Sequence, residues 1–485
     1  MVFSSLLATV NEIQAELLSS PMAATIVFLA VLLGGVGIWF GLLKRPVYEA
    51  MLVSFALLLT VMGKWGSVLA YIDDAMSTNL LYTMVAFVAM SILMSKTKVI
   101  DGCIAIILSL LGRIPGGAGY VSVIAAAFMG ALSGSGPGNI MATGAITIPA
   151  MKKTGFPPEL AGNIASNASY MGNMIPPSTN VLLALGILQG IYQARGMEIT
   201  QGQFWLVLWG ISIWFILQRM IMVFIFCRRY KVKPIPKEEL PRFGESLKKN
   251  WKGLLLPVVI LLPFLLEFLF SDKIALRLGA AGAKSFSSSL LLFIPGVTAM
   301  FIWLITKNKK AVTPNKMAKM FADGVKSIAP AIGVCIIGYM LGGLFDDLNL
   351  SEGIKAFVES VNFGQNPVFG RLGMAIFVSL FTCFLGMVVP GSALVKMIGL
   401  PLVAALEVVG VDPLLAAAML PCICGVMCGI TPPLGLGVYA GMTLSGAEFG
   451  KTVKNNMWWV AAQFVLQVVV LMGWLPIIGM PNFGY

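Results

Sequence analysis

With 485 residues, 58% of them hydrophobic and 11% charged, the chain departs far from the composition of a soluble domain. Its long apolar stretches lack polar helix faces, which excludes a soluble multidomain enzyme. The net charge of +12 does not point to nucleic acid, because the basic residues cluster in loops: Arg228 to Lys252 fill one, and Lys307, Lys309 and Lys310 begin another. Both loops are cytoplasmic by the positive-inside rule.

Residues 1–20 place Phe3, Leu6, Leu7, Val10, Ile13 and Leu17 at helical spacing, predicting an amphipathic helix without the basic start of a secretory signal. Residues 21–98 hold the N-terminal transmembrane helices, with crossings at about 22–43, 47–71 and 80–95. A hydrocarbon core of about 30 Å needs about 20 apolar residues per helical crossing. The first inverted repeat is expected over 99–230. Within it, two apolar arms flank Ser133-Gly134-Ser135-Gly136-Pro137-Gly138-Asn139, a run that no continuous helix tolerates. Each arm is too short to span and both bases are positive, which predicts a re-entrant helical hairpin over 118–152 entering from the cytoplasm. A double proline, Pro176-Pro177, then breaks the helix expected over 158–195.

A basic cytoplasmic loop over 231–252 and a linker transmembrane hairpin over 253–310 lead to the second repeat, 311–485. That repeat contains a hairpin over 371–408, with its tip at Val389-Pro390-Gly391-Ser392, and a broken helix over 413–446 at Gly429-Ile430-Thr431-Pro432-Pro433-Leu434-Gly435. Gly155 and Gly410 are 255 residues apart, and the double prolines at Pro176 and Pro432 are 256 apart. The charge pattern opens the second hairpin from outside. The fold expected is therefore an all-α polytopic membrane protein built from inverted-topology repeats, with two hairpins and two broken helices.

Broken helices in hydrocarbon survive only where protein or a watery cavity pairs their backbone. Unwound carbonyls and helix C-termini suit Na⁺, and helix N-termini suit carboxylates. Asn163, Ser166, Asn167, Tyr170 and Asn173 form a polar stripe expected to face the first tip. The candidate substrate contacts are Gly134, Asn163, Asn167, Asn173, Ser178, Pro390, Gly391 and Lys396. Ordinary helix–helix hydrogen bonding, at about 0.6 kcal/mol per contact, is the structural alternative for the stripe. Lys396 lies five residues past Gly391, or about 7.5 Å along a helix, and is expected to attract an anion from a polar cavity; pairing with a backbone carbonyl is its alternative.

The chain has no histidine, so no His-ligated zinc or His-based triad exists. Cys422, Cys424 and Cys428 lack a second cysteine pair at metal spacing, and no Walker-type motif is present. No enzyme activity, resident metal or cofactor is expected.

Ser133-Gly-Ser-Gly-Pro-Gly-Asn139, the run Ile148 to Phe156, Ile175-Pro-Pro-Ser178, Gly386-Met-Val-Val-Pro390 and Ile430-Thr-Pro-Pro-Leu-Gly435 resemble a known pattern. Over roughly residues 40–480 the chain is similar to the large membrane subunit of tripartite ATP-independent periplasmic (TRAP) transporters, particularly the TAXI-type branch. The resemblance implies Na⁺-coupled, elevator-type import of a small organic carboxylate across the bacterial inner membrane. It also implies a periplasmic substrate-binding protein and a small four-helix membrane subunit, which here would be separate or absent. By motif position it implies ion ligands at Ser133, Ser135, Asn139, Gly172, Ser392, Thr431 and Gly435. Many relatives carry an aspartate in the second tip, where this chain has Pro390-Gly391-Ser392. A stand-alone Na⁺- or H⁺-coupled carrier or exporter, and an ion channel, are the competing readings; the scarcity of ionisable groups in the predicted core favours Na⁺ over H⁺.

Overall fold

The computed structural model describes residues 20–480 except 78–81, 83–85, 87–89, 91–92, 94–96, 98, 134–135, 237, 239, 307–312, 361–366, 388–390 and 432–434. The expected N-terminal amphipathic helix and most of the crossing at 80–95 lie outside the described residues. Every regular element among the described residues is helical.

The chain opens with α1 (Pro21–Val36), started by Pro21 and by the Ser20 hydroxyl accepting from the Ala23 amide at 3.4 Å. Next come α2 (Val47–Val61), α3 (Val68–Ser77), α4 (Val99–Leu111) and α5 (Gly117–Ser133). A short α6 (Gly136–Asn139) runs through a π-helical turn, Ile140–Gly144, into α7 (Ala145–Lys153). Then follow α8 (Pro158–Met171), α9 (Thr179–Ala194) and the 30-residue α10 (Gln201–Tyr230). Thr200 caps the start of α10, and Arg228 and Arg229 complement the dipole at its end. After α11 (Phe243–Asn250), α12 (Leu256–Leu269) and α13 (Ser271–Ile305) come α14 (Pro314–Asp347) and α15 (Leu350–Ser360). The chain closes with α16 (Pro367–Gly386), α17 (Gly391–Val408), α18 (Pro413–Leu420), α19 (Met427–Ile430), α20 (Leu436–Ser445) and α21 (Phe449–Leu471).

Seven helical stretches among the described residues are long and apolar enough to cross a membrane, including Pro21–Trp39, Pro158–Ala194, Gln201–Tyr230 and Gly391–Val408. Two packing groups are evident. In one, α1 packs against α2 and α15, while α14 packs against α2 and α3. At its edge, Asp347 at the end of α14 accepts from Tyr71 Oη at 2.7 Å and pairs with Lys64 Nζ at 2.9 Å. Those two partners hold its carboxyl below the usual range. In the other group α8 is central: Leu160 through Met171 are all buried, against α5, α20 and α21. The groups meet through α17, which touches both α14 and α15.

One local expectation changes. The segment expected as a plain polar loop over 231–252 contains helix α11, and its first part is pinned by Lys233 N to Thr154 O at 2.9 Å and Ile235 N to Gly112 O at 3.0 Å. In the linker, two helical stretches of α13 meet at a kink at Gly279, whose φ of 71° is open to glycine.

Candidate functional site

The first reversal of the chain lies between Ala126 and Asn139, because α5 packs back against α7. Asn139, fully buried, fastens it from two sides: its Nδ2 donates to Ala126 O of α5 at 2.7 Å and to Ser169 O of α8 at 3.1 Å. Thr143 continues the line, donating to Asn139 O at 2.8 Å. Replacing Asn139 by alanine removes both of these buried bonds. Each contributes about 0.5–1.5 kcal/mol, so Asn139→Ala is expected to destabilise the protein by about 1–3 kcal/mol, read as a lowered thermal midpoint in detergent.

α8 ends in a 3-10 turn, Gly172–Met174, followed by extended Ile175 and a cis Pro176–Pro177 peptide. Here the backbone of Gly172 lies directly against Gly130 of α5, leaving no space for a side chain on either. Ser178 then starts α9: its hydroxyl donates to Asn173 O and accepts from Val181 N.

The second half repeats these contacts. Gly386 and Cys428 stand 256 residues after Gly130 and Gly172, and a Cβ on Gly386 would lie 2.9 Å from Cys428 Cα. α19 ends at Thr431, whose hydroxyl donates to Met427 O at 2.7 Å, and Gly435 N closes the break by donating to Thr431 O at 2.9 Å. Cross-half ties are paired too. Lys152, ending α7, donates to Ser445 O at the end of α20 at 2.7 Å. Glu407, 255 residues later near the end of α17, holds Arg195 after α9 by two bonds of 2.5 and 2.7 Å. That hydrogen-bonded carboxylate raises the Arg195 pKa. Being partly exposed, the pair is worth only about 0.2–1 kcal/mol.

The two halves converge at two points. One is Tyr170, 6% exposed, whose ring is enclosed by glycines from both halves. A Cβ on Gly136 or Gly437 would stand 2.5 Å from the ring, and one on Gly429 would overlap it. The other is Gly425, in the π-helical stretch Pro421–Val426 between α18 and α19. Gly425 lies directly against Asn180 in the first turn of α9, and a Cβ on Gly391 would sit 2.6 Å from Gly425 Cα and 2.8 Å from Cys424 O. The N-termini of α9 and α17 therefore approach the same glycine, a positive setting for an anion. Along α8 and in the turn after it, three amide oxygens (Asn163 Oδ1, Asn167 Oδ1 and Asn173 Oδ1) and the Ser169 hydroxyl are buried without a hydrogen-bond partner. Such oxygens are hard donors suited to a small cation.

The predicted residues are distributed unevenly over this arrangement. Asn139, Gly172, Asn173, Ser178, Gly391, Thr431 and Gly435 border the breaks as placed above. Ser392 is half-buried in the first turn of α17. Gly134, Ser135 and Pro390 lie outside the described residues, as does the side chain of Ser133. The polar stripe is rotated from its expected direction. Asn163 donates to Thr452 O at 2.9 Å, Asn167 to Asn456 Oδ1 at 2.8 Å, and Ser166 to Gly437 O at 2.6 Å. Those three positions share one helix face, turned to α20 and α21; among the described residues, Ser169, Tyr170 and Gly172 meet α5 and α6. Lys396 is packed toward α14, with its stem over Gly338 and its ammonium 3.0 Å from the centroid of the Tyr339 ring. Five residues turn a helix by roughly 140°, so this side is not the Gly391 side that meets Gly425.

Tyr170 as a pivot, Asn180, Gly425 and Asn456 were not singled out from sequence. Asn456 donates to Ile430 O at 2.5 Å, satisfying the carbonyl end of the second break. The available signal was its spacing to Gln463 and Gln467 in an otherwise apolar helix. No cluster of metal-binding residues occurs among the described residues.

A sequence profile of the family described as "Tripartite ATP-independent periplasmic transporter, DctM component" matches residues 21–478. The C4-dicarboxylate TRAP transporter large permease protein of Pseudomonas aeruginosa is 24% identical over 363 residues, covering 74% of this chain and 76% of that protein. The sialic acid TRAP transporter large permease protein of Vibrio cholerae is 22% identical over 386 residues, covering 79% and 82%. In fold, the chain is similar to Neisseria gonorrhoeae MtrF, one of a class of antimetabolite efflux pumps. The TM-score is 0.59 at 14% identity, over 85% of each chain.

Proposed function

This chain belongs to the DctM component family of TRAP transporters, inner-membrane permease subunits and not enzymes, and from that premise we propose that it imports a small organic carboxylate coupled to Na⁺. The observation that carries this reading is the convergence of both helix breaks and both tips on Tyr170 and Gly425. The carboxylate end is assigned to the N-termini of α9 and α17, near Ser178, Asn180, Gly391 and Ser392. One Na⁺ is assigned to the first break, with Ser133, Ser135, Asn139, Gly172 and the oxygens of Ser169 and Asn173. A second is assigned to Ser392, Thr431 and Gly435.

The matched contacts at Gly130–Gly172 and Gly386–Cys428 support reading the halves as inverted repeats with re-entrant hairpins. The ties Lys152–Ser445 and Arg195–Glu407 bind each hairpin to the other half's broken helix. That supports movement of α5–α10 and α16–α21 as one block against α1–α3, α14 and α15, an elevator motion. A small membrane subunit and a periplasmic substrate-binding protein complete the system, following family membership. Both relatives above are named for carboxylate substrates, which supports that class here.

The test is uptake of C4-dicarboxylates and sialic acid into proteoliposomes holding the permease and its small subunit, with binding protein outside. An inward Na⁺ gradient is expected to drive accumulation of at least one of these. Equal uptake with choline in place of Na⁺ would refute the coupling.

A further inference from the structure

Away from the tips, α10 and α21 enclose a charged group that the transport reading does not use. Arg219 is 1% exposed. One guanidinium nitrogen, Nη1, donates to the side-chain oxygen of neighbouring Gln218, and the group lies 5.6 Å from the Phe215 ring centroid. Its Nε has no acceptor. Among the described residues no carboxylate pairs with it. A guanidinium held in hydrocarbon without a counter-charge is strongly unfavourable, so such groups are compensated.

What surrounds it is polar and unsatisfied. α10 and α21 run antiparallel, since the Phe226 ring stacks near Trp459 at 5.8 Å while Trp214 Nε1 donates to Pro476 O at 2.8 Å. Between those two anchors, Arg219 falls level with Gln467. Gln463, one turn away on the same face, donates to Cys422 Sγ at 2.9 Å, and the Cys422 thiol is within electrostatic reach of Arg219. Gln463 and Gln467 are fully buried. Both side-chain atoms of Gln467, Gln463 Oε1 and Gln218 Nε2 lack hydrogen-bond partners. The N–H donors left over are thus Arg219 Nε, Gln218 Nε2 and Gln467 Nε2, around one positive charge. The two amide oxygens can turn aside, because the terminal amide torsion is soft.

We propose that Arg219, Gln218 and Gln467 form a buried site for one small monovalent inorganic anion of the chloride type. One negative charge neutralises the guanidinium, and three N–H groups replace the ion's water. Phe215 and Cys422 beside it are fully buried, which favours a small, compact occupant. This site is distinct from the carboxylate-binding region. Cys422 meets Gln463, whereas Gly425, three residues on, meets Asn180 and Gly391.

Thermal unfolding of the purified full chain in sodium chloride, bromide and gluconate at equal ionic strength tests the proposal. The midpoint is expected to rise saturably with chloride or bromide over gluconate, because an ion that binds only the folded state stabilises it. Arg219→Met, which keeps the bulk and removes the charge, is expected to abolish that halide-specific rise. Gln467→Leu, which removes one donor and leaves the guanidinium, is expected to raise the half-saturating chloride concentration about tenfold and remains readable if Arg219→Met does not fold. Equal midpoints in chloride and gluconate would overturn the site. So would a halide response unchanged in either variant, or a high-resolution bromide-soaked map with only ordered waters beside Arg219.

Discussion

Replacing Gly391 with alanine is expected to lower carboxylate uptake about 100-fold while leaving the protein in the membrane at normal level. A Cβ there would stand 2.6 Å from Gly425 Cα and 2.8 Å from Cys424 O. Both atoms are backbone, inside a segment that is itself fully buried, so neither gives way as a flexible side-chain end would. The start of α17 must then retreat from Gly425, carrying Ser392 away from the first turn of α9. A displacement of about 1 Å in a positioned site costs about 10²-fold in rate. Uptake by Gly391→Ala proteoliposomes, normalised to incorporated protein, checks this. A rate within threefold of wild type would mean that the second tip does not need its close approach.

The second large effect is expected at Tyr170. Its ring fills a space that Gly136, Gly429 and Gly437 leave open from three helices. Tyr170→Ala empties that space, and large aromatic truncations in packed interiors cost about 3–5 kcal/mol. Tyr170→Phe keeps the ring and is expected to retain most stability and transport. Scanning fluorimetry in detergent on the two variants separates the ring from the hydroxyl. Equal midpoints for wild type and Tyr170→Ala would show that the ring is not the pivot between the halves.

The features most legible from sequence are those that hydrocarbon forbids. Gly- and Pro-rich runs inside apolar segments mark helix interruptions because no lipid can pair the freed backbone. The structure shows Ile175 and Thr431 leaving helical geometry where the double prolines stand, with Pro432-Pro433 themselves outside the described residues. Direction around a helix was less legible. Asn163, Ser166 and Asn167 were recognised as a polar face, but spacing alone does not say which neighbour it meets, and the neighbour is α20–α21. Lys396 illustrates the same limit: it is buried, at 7% exposure, and its side is set by Gly338, which makes room for its stem. The enclosure of Tyr170 and the setting of Arg219 were illegible for a third reason. Gly429 and Gly437 around Tyr170, and Cys422 and Gln467 near Arg219, come from segments more than 200 residues away, joined only by the folded packing.

The measurement closest to the central claim is equilibrium binding of ²²Na⁺ to the purified permease in detergent. Wild-type protein is expected to bind Na⁺ saturably, with choline unable to compete. Asn139→Ala, which frees Ala126 O and Ser169 O from their shared donor, is expected to weaken that binding at least about tenfold. Saturable binding that Asn139→Ala leaves unchanged, or the lack of any saturable binding to the wild-type protein, would contradict a Na⁺ site at the first helix break.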